Sequence, residues 1–218
     1  MLTVNEIQEV KQEFCDLLRT IKRPDSDIEG LIAYLEELGF FKAPASAKYH
    51  CSFPGGLCLH SINVYQALQS IVDRFDNTSI KDDSVLIVGL LHDVIRANLF
   101  EEFSYSEKVY SDYGKKNEKY IDPLTNKEVT KYFDWATSTG FKVKEAEDRL
   151  TFGSRGFATY YIISQFISLT KEETITLVNQ YNAFDNSNQA DISAILSKYP
   201  LAVYLHSADT IATYCIEK

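Results

Sequence analysis

Hydrophobic positions at Val4, Ile7, Val10, Phe14, Leu17, Leu18 and Ile21 recur at helical spacing and predict a first helix over 3–21. Pro24 closes that pattern. Asp25, Ser26 and Asp27 offer N-caps for a second helix over 27–38, whose apolar face is Ile28, Leu31, Ile32 and Leu35 and whose stop is Gly39. Pro44, Pro54, Gly55 and Gly56 mark the next stretch as a loop. A long helix over 57–75 follows, then one over 82–97 whose nearly continuous apolar run implies burial on all sides. From 104 to 149 Tyr, Lys and Asp dominate, and IDPLTNKEV reads as a turn between two short strands, so an inserted hairpin or ordered loop is expected there. Helical spacing returns over 156–168. Thr170 with Glu173 forms a capping box for a helix over 171–181, and Pro200 opens a last helix running through Ile216. With no repeat and no linker, the chain reads as one domain over 1–218, with residues 1–40 packed on it as N-terminal helices and 104–149 as an insertion.

Composition narrows the function classes. The 22 basic and 31 acidic residues give a net charge of −9, which disfavours a protein that tracks nucleic-acid phosphates. Cys15, Cys51, Cys58 and Cys215 form no CxxC and read as free thiols in a reducing compartment. The N-terminal stretch lacks the basic start and apolar block of a secretory signal, and the apolar run 85–91 is far below the roughly 20 residues that span a bilayer. A soluble, cytoplasmic protein without a membrane partner is the expectation, and its aromatic-rich surface is compatible with a homodimer.

The four histidines are His50, His60, His92 and His206. His92 is followed by Asp93 in an apolar run, where a buried carboxylate beside an imidazole is costly unless a cation pairs with both. His60 follows Gly55-Gly56 by about one helical turn, and Asp209 is an acid in the mostly apolar YLHSADTIATY. Two imidazoles and two carboxylates make a mixed N/O donor set, suited to Mn, Fe, Co, Ni, Zn or Mg rather than to a thiolate-type structural zinc site. The Tyr-rich stretch 100–120 and Lys115, Lys116 and Lys119 read first as a packed hairpin with a solvated turn; base stacking and a phosphate clamp are the sharper alternatives.

The order His60, His92-Asp93, Asp209 resembles the HD-domain superfamily of metal-dependent phosphohydrolases. APASAKYHCSFPGGLCLHSINV is similar to the first ligand helix of a branch that includes bacterial 3′-to-5′ exoribonucleases, LIVGLLHDVIRA to its second, and LHSADTIATY to its terminal Asp helix. FGSRGFATYYIISQFISLTKEETITLVNQYNAFD resembles the intervening segment, so the likeness covers about 40–218. It implies an all-α HD bundle holding one divalent metal ion through His60, His92, Asp93 and Asp209. It also implies hydrolysis of a phosphate ester or anhydride, with a nucleotide or related phosphorylated small molecule as substrate.

Two-metal members carry further histidines, expected here near Ser154 and Gln180; both positions differ, which points to a mononuclear site. The common HDxxK reads Arg at position 96. Arg96 keeps the cation and can grip a phosphate, but it is a poor proton donor. In this reading Asp93 orients the water nucleophile, and Arg96 and Arg155 neutralise phosphoryl charge. His50 donates to a phosphate or a leaving oxygen, or is simply a loop histidine, and His206 supports or packs. The alternatives are a catalytically impaired HD protein that binds a nucleotide or a protein partner, and a 3′-to-5′ exonuclease.

Overall fold

A computed structural model describes residues 2–75, 80–150, 153–181 and 189–217. The element order is α1 (Val4–Arg19), α2 (Ile28–Leu38), α3 (Gly56–Phe75), α4 (Asp82–Leu91), a 3-10 turn (Val94–Asn98), β1 (Phe100–Tyr110), β2 (Lys116–Ile121), β3 (Glu128–Val143), α5 (Arg155–Ser164), α6 (Lys171–Asn179), α7 (Gln189–Lys198), α8 (Pro200–Ile211) and a π-helical turn (Ala212–Ile216). No helix among the described residues is long and apolar enough to cross a membrane.

The expected all-α class is corrected. Among the described residues the chain is mostly helical but mixed, 54% helix and 16% strand, because the insertion is a three-stranded antiparallel sheet of order β1-β3-β2 rather than a hairpin or loop. IDPLTNKEV is indeed the turn between two strands, β2 and β3, with Asp122 N donating to Lys127 O and Asn126 N to Asp122 O. The sheet begins earlier than expected, pairing Phe100 with Val143. Along one face run Tyr110, Phe133 and Trp135. Lys108 lies 4.6 Å from the Phe133 ring centroid, and Lys131 lies 4.4 Å from that of Tyr120. Lysines thus lie over some of the sheet's rings, and within this sheet only Phe133 is buried.

Local signals set the helix ends. Thr3 with Glu6 and Thr170 with Glu173 both form capping boxes, Asp27 caps α2, and Gly39 ends it at φ +83°. Phe14, Phe40 and Phe41 interlock at centroid separations of 5.0–5.7 Å and join α1 to the loop after α2. In α4 every residue from Ser84 to Leu91 is buried, as its unbroken apolar run demands.

The helix expected over 82–97 stops at Leu91 and the one expected over 156–168 is likewise shorter, whereas the last runs through Ile216 as expected, passing from α into π geometry at Ala212. Helix α7 has no counterpart in the sequence reading.

The entry into α3 leaves no room. A Cβ on Gly56 would lie 2.0 Å from the Cys51 carbonyl oxygen, while Leu57 N donates to Ala43 O and Gly55 turns at φ +81°. Gly56→Ala is therefore expected to cost about 1–3 kcal/mol in chemical denaturation, the range for forcing atoms into a packed site. An unchanged midpoint would contradict this close approach.

Candidate metal centre

Helix α3 packs against both α4 and α8, and His60, in the first half of α3, is fully buried between them. His92 and Asp93 follow directly on α4. His92 Nδ1 donates to Gly89 O at 2.9 Å, the carbonyl that the Asp93 amide would take if the helix continued. Asp93 instead adopts φ −107°, ψ 17°, and the chain proceeds as a 3-10 turn with Arg96 N donating to Asp93 O. Gln180, a position where the resemblance looks for histidine, donates through Nε2 to His92 O. Ser154, the other such position, caps α5 by accepting from Phe157 N.

These constraints aim two imidazoles at one carboxylate oxygen. His60 Nε2 lies 3.8 Å and His92 Nε2 3.6 Å from Asp93 Oδ2, and the ligand atoms of the three residues lie within 4.8 Å of one another. Both Nε2 atoms are buried without a hydrogen-bond partner. His92 Nδ1 must carry the proton it gives to a carbonyl, so in the neutral ring the lone pair is on Nε2. This buried His60/His92/Asp93 group can hold a metal ion. Asp209, near the end of α8, adjoins it with Oδ1 3.4 Å from His60 Nε2. The Asp209 side chain is 35% exposed against 3% or less for the other three, so the cluster meets solvent on the Asp209 side.

Two neighbours absent from the sequence reading complete the site. Glu217, brought under His60 by the π-helical turn, takes the His60 Nδ1 proton on both oxygens at 3.0 Å and a further bond from Asn63 Nδ2 at 2.9 Å. A carboxylate behind a ligating imidazole fixes its tautomer and raises its basicity. Tyr181 OH donates to Asp93 Oδ1, leaving Oδ2 toward the imidazoles.

Electrostatics follow from these contacts. Burial disfavours a charged His60, yet the adjoining carboxylates of Asp209 and Glu217 outweigh it and raise its pKa to about 9. The second proton of His60 is thus held on Nε2, facing the carboxylates, and an ion bound there would replace it. Burial raises the Asp93 pKa, but Arg96, His92 and His60 outweigh it and hold the carboxyl below its usual range. For Asp209, burial is outweighed by His60 and His92, and the net direction is also down. Burial and the Asp93 charge push the Tyr181 phenol well up, so it stays a donor.

The remaining expected site residues adjoin the cluster to different degrees. Arg96 places Nε 2.7 Å from Asp93 Oδ2 and donates from Nη1 to Ala45 O at 3.0 Å, so it grips the ligand carboxylate itself. The His50 ring centroid is 4.9 Å from that of His60, on the Glu217 side, and burial with the charge of His60 lowers its pKa. Arg155 lies over the Tyr181 ring at 5.1 Å, one residue removed from Asp93.

Comparison of the chain with family models, with curated proteins and with solved structures returns no match.

Glu217→Gln keeps an acceptor for His60 but removes the charge. Metal affinity is expected to fall by about 10–100-fold with the fold retained, read by titration calorimetry with Mn²⁺ beside circular dichroism. Unchanged affinity would remove Glu217 from the site.

Proposed function

We propose that the chain is a metal-dependent phosphohydrolase of the HD type, acting on a nucleotide or related phosphate ester through one divalent ion. The observation that supports this most is the pair of buried, unpartnered Nε2 atoms converging on Asp93 Oδ2. His60, His92, Asp93 and Asp209 would hold the ion, drawn from Mn, Fe, Co, Ni, Zn or Mg. Three carboxylates surround the two imidazoles: Asp93 pairs with Arg96, and Asp209 and Glu217 meet His60. The positions where a second ion's histidines are looked for are Gln180 and Ser154, both engaged in backbone contacts.

When bound, the ion supplies a low-pKa water and polarises the phosphoryl oxygen. The protein's own residues set the frame. Glu217 holds His60 and Gly89 O holds His92, each with Nε2 inward. Tyr181 and Arg96 hold Asp93 ionised and oriented. The part-exposed Asp209 marks the side from which substrate and water approach. Arg96 has Nε and Nη1 committed, so its first role here is to position Asp93.

That commitment also favours a second reading, a metal- or nucleotide-binding protein without turnover, because the guanidinium shares the oxygen a metal needs. Purified protein incubated with a nucleotide panel in Mg²⁺, Mn²⁺, Co²⁺ or Ni²⁺ separates the two. Hydrolysis lost in Asp209→Asn is the expected result. Metal binding without hydrolysis of any member would replace the enzyme by the binding protein, and hydrolysis indifferent to Asp209→Asn would overturn the site.

A further inference from the structure

We propose that a cavity beyond Tyr181 is a binding site for a small phosphate monoester with a flat apolar body, separate from the metal centre. The cavity measures about 280 Å³ and lies between the 3-10 turn, the end of β3 and the start of α5. Ile95, Leu99, Val143 and Leu150 give it an apolar wall, and Arg149 and Arg155 give it two guanidiniums.

The arginines are the unusual part. Arg19, Arg23 and Arg96 each pair with a carboxylate, whereas among the described residues Arg74, Arg149 and Arg155 have none within 4.0 Å, and of these three only Arg149 and Arg155 line a cavity together. Both are nonetheless held in place. Arg149 Nε donates to Lys144 O at 2.6 Å, leaving its terminal nitrogens, and the Arg155 guanidinium lies over the Tyr181 ring at 5.1 Å.

Two positioned guanidiniums match the charge and the several acceptor oxygens of a phosphate monoester. Four aliphatic side chains suit a flat apolar group beside it. The volume, at the lower edge of small-molecule sites, fits a single ring better than a polymer. Tyr181 donates to Asp93 Oδ1 on one side and carries Arg155 on the other, so it stands between the cavity and the metal cluster.

The test uses the full chain in EDTA, which excludes hydrolysis and makes the result independent of the proposed metal chemistry. Titration calorimetry would compare phenyl phosphate, inorganic phosphate and phenol. Phenyl phosphate is expected to bind more tightly than either fragment, to lose at least about tenfold in affinity in Arg155→Gln, and to bind Asp209→Asn unchanged. Arg155 is exposed and its replacement should leave the fold intact; Arg149→Lys, which keeps a charge but not the fork, should weaken binding less than Arg155→Gln. No saturable binding, equal binding by inorganic phosphate, or binding indifferent to Arg155→Gln would each overturn the proposal.

Discussion

Replacing His92 with Ala will abolish stoichiometric metal binding, and any hydrolysis with it. His92 contributes an Nε2 lone pair that has no other use: its Nδ1 proton is spent on Gly89 O, and Nε2 is buried 3.6 Å from Asp93 Oδ2. Its loss removes one of two nitrogen donors and leaves Asp93 with His60, Arg96 and Tyr181. Affinity for Mn²⁺ should fall by more than the roughly 100-fold that loss of an outer partner costs. Turnover should drop at least about a thousandfold, corresponding to about 4 kcal/mol of lost transition-state stabilisation. Calorimetry and a product assay on the same preparation read both. His206→Ala is the control, because His206 lies outside the His60/His92/Asp93 group. If H92A binds metal as the parent does, the cluster is not a metal site.

The second large effect is structural. Arg23 follows α1 and reaches the fully buried Glu173 of α6, with Nη1 3.0 Å from Glu173 Oε2 and donating also to Ser168 O at 3.0 Å. Nη2 bonds to Glu173 Oε1 and, at 3.3 Å, to Ser84 Oγ. One guanidinium thus ties the N-terminal helices to α4 and α6. Arg23→Ala should cost about 3–5 kcal/mol, the usual penalty for leaving a buried charge unpaired, against a total of roughly 5–15 kcal/mol for a domain.

The pH dependence has a definite sign. Burial alone would raise the Glu173 pKa, but bonds from Arg23, Ser84 and the Thr170 amide take it below its ordinary 4.5. A lowered folded pKa stabilises above the unfolded value, and that contribution is lost as pH falls through the folded one. Without Arg23 only the Ser84 and Thr170 bonds oppose burial and the carboxyl protonates more readily, so the deficit of Arg23→Ala should shrink as the pH falls from neutral into acid. Urea denaturation at neutral pH and in acid tests this; a deficit that does not change with pH would assign the loss to packing rather than to the ion pair.

How much of this could be read in advance depended on the range of the interactions. The Thr170–Glu173 capping box, the Gly39 stop and the Asp27 cap are local chemistry, and they appear where the pattern places them. His60, His92, Asp93 and Asp209 announce themselves because charged groups in apolar runs need a partner.

The break after Leu91 was hidden, since it comes from the His92 ring taking a backbone carbonyl and from Gln180, 88 residues away, bonding to His92 O. Glu217 was hidden for a related reason. An α-helical register does not place it with Asp209, but the π-helical turn, closed by Glu217 N donating to Ala212 O, shifts the register by a residue and carries its side chain under His60. Tyr181 lay among many tyrosines with nothing to distinguish it. The third strand was obscured because the sheet is mostly exposed on both faces, which blurs the polar-apolar alternation that marks a half-buried strand.

The most direct test of the metal centre is proton NMR of the protein titrated with Co²⁺. Both ligating imidazoles should carry their protons on Nδ1, held by Glu217 and by Gly89 O. The account predicts saturation at one ion per chain and two exchangeable, strongly shifted imidazole N–H signals, one lost in His60→Ala and the other in His92→Ala. Absence of binding, or a bound ion that shifts neither imidazole N–H, would contradict it.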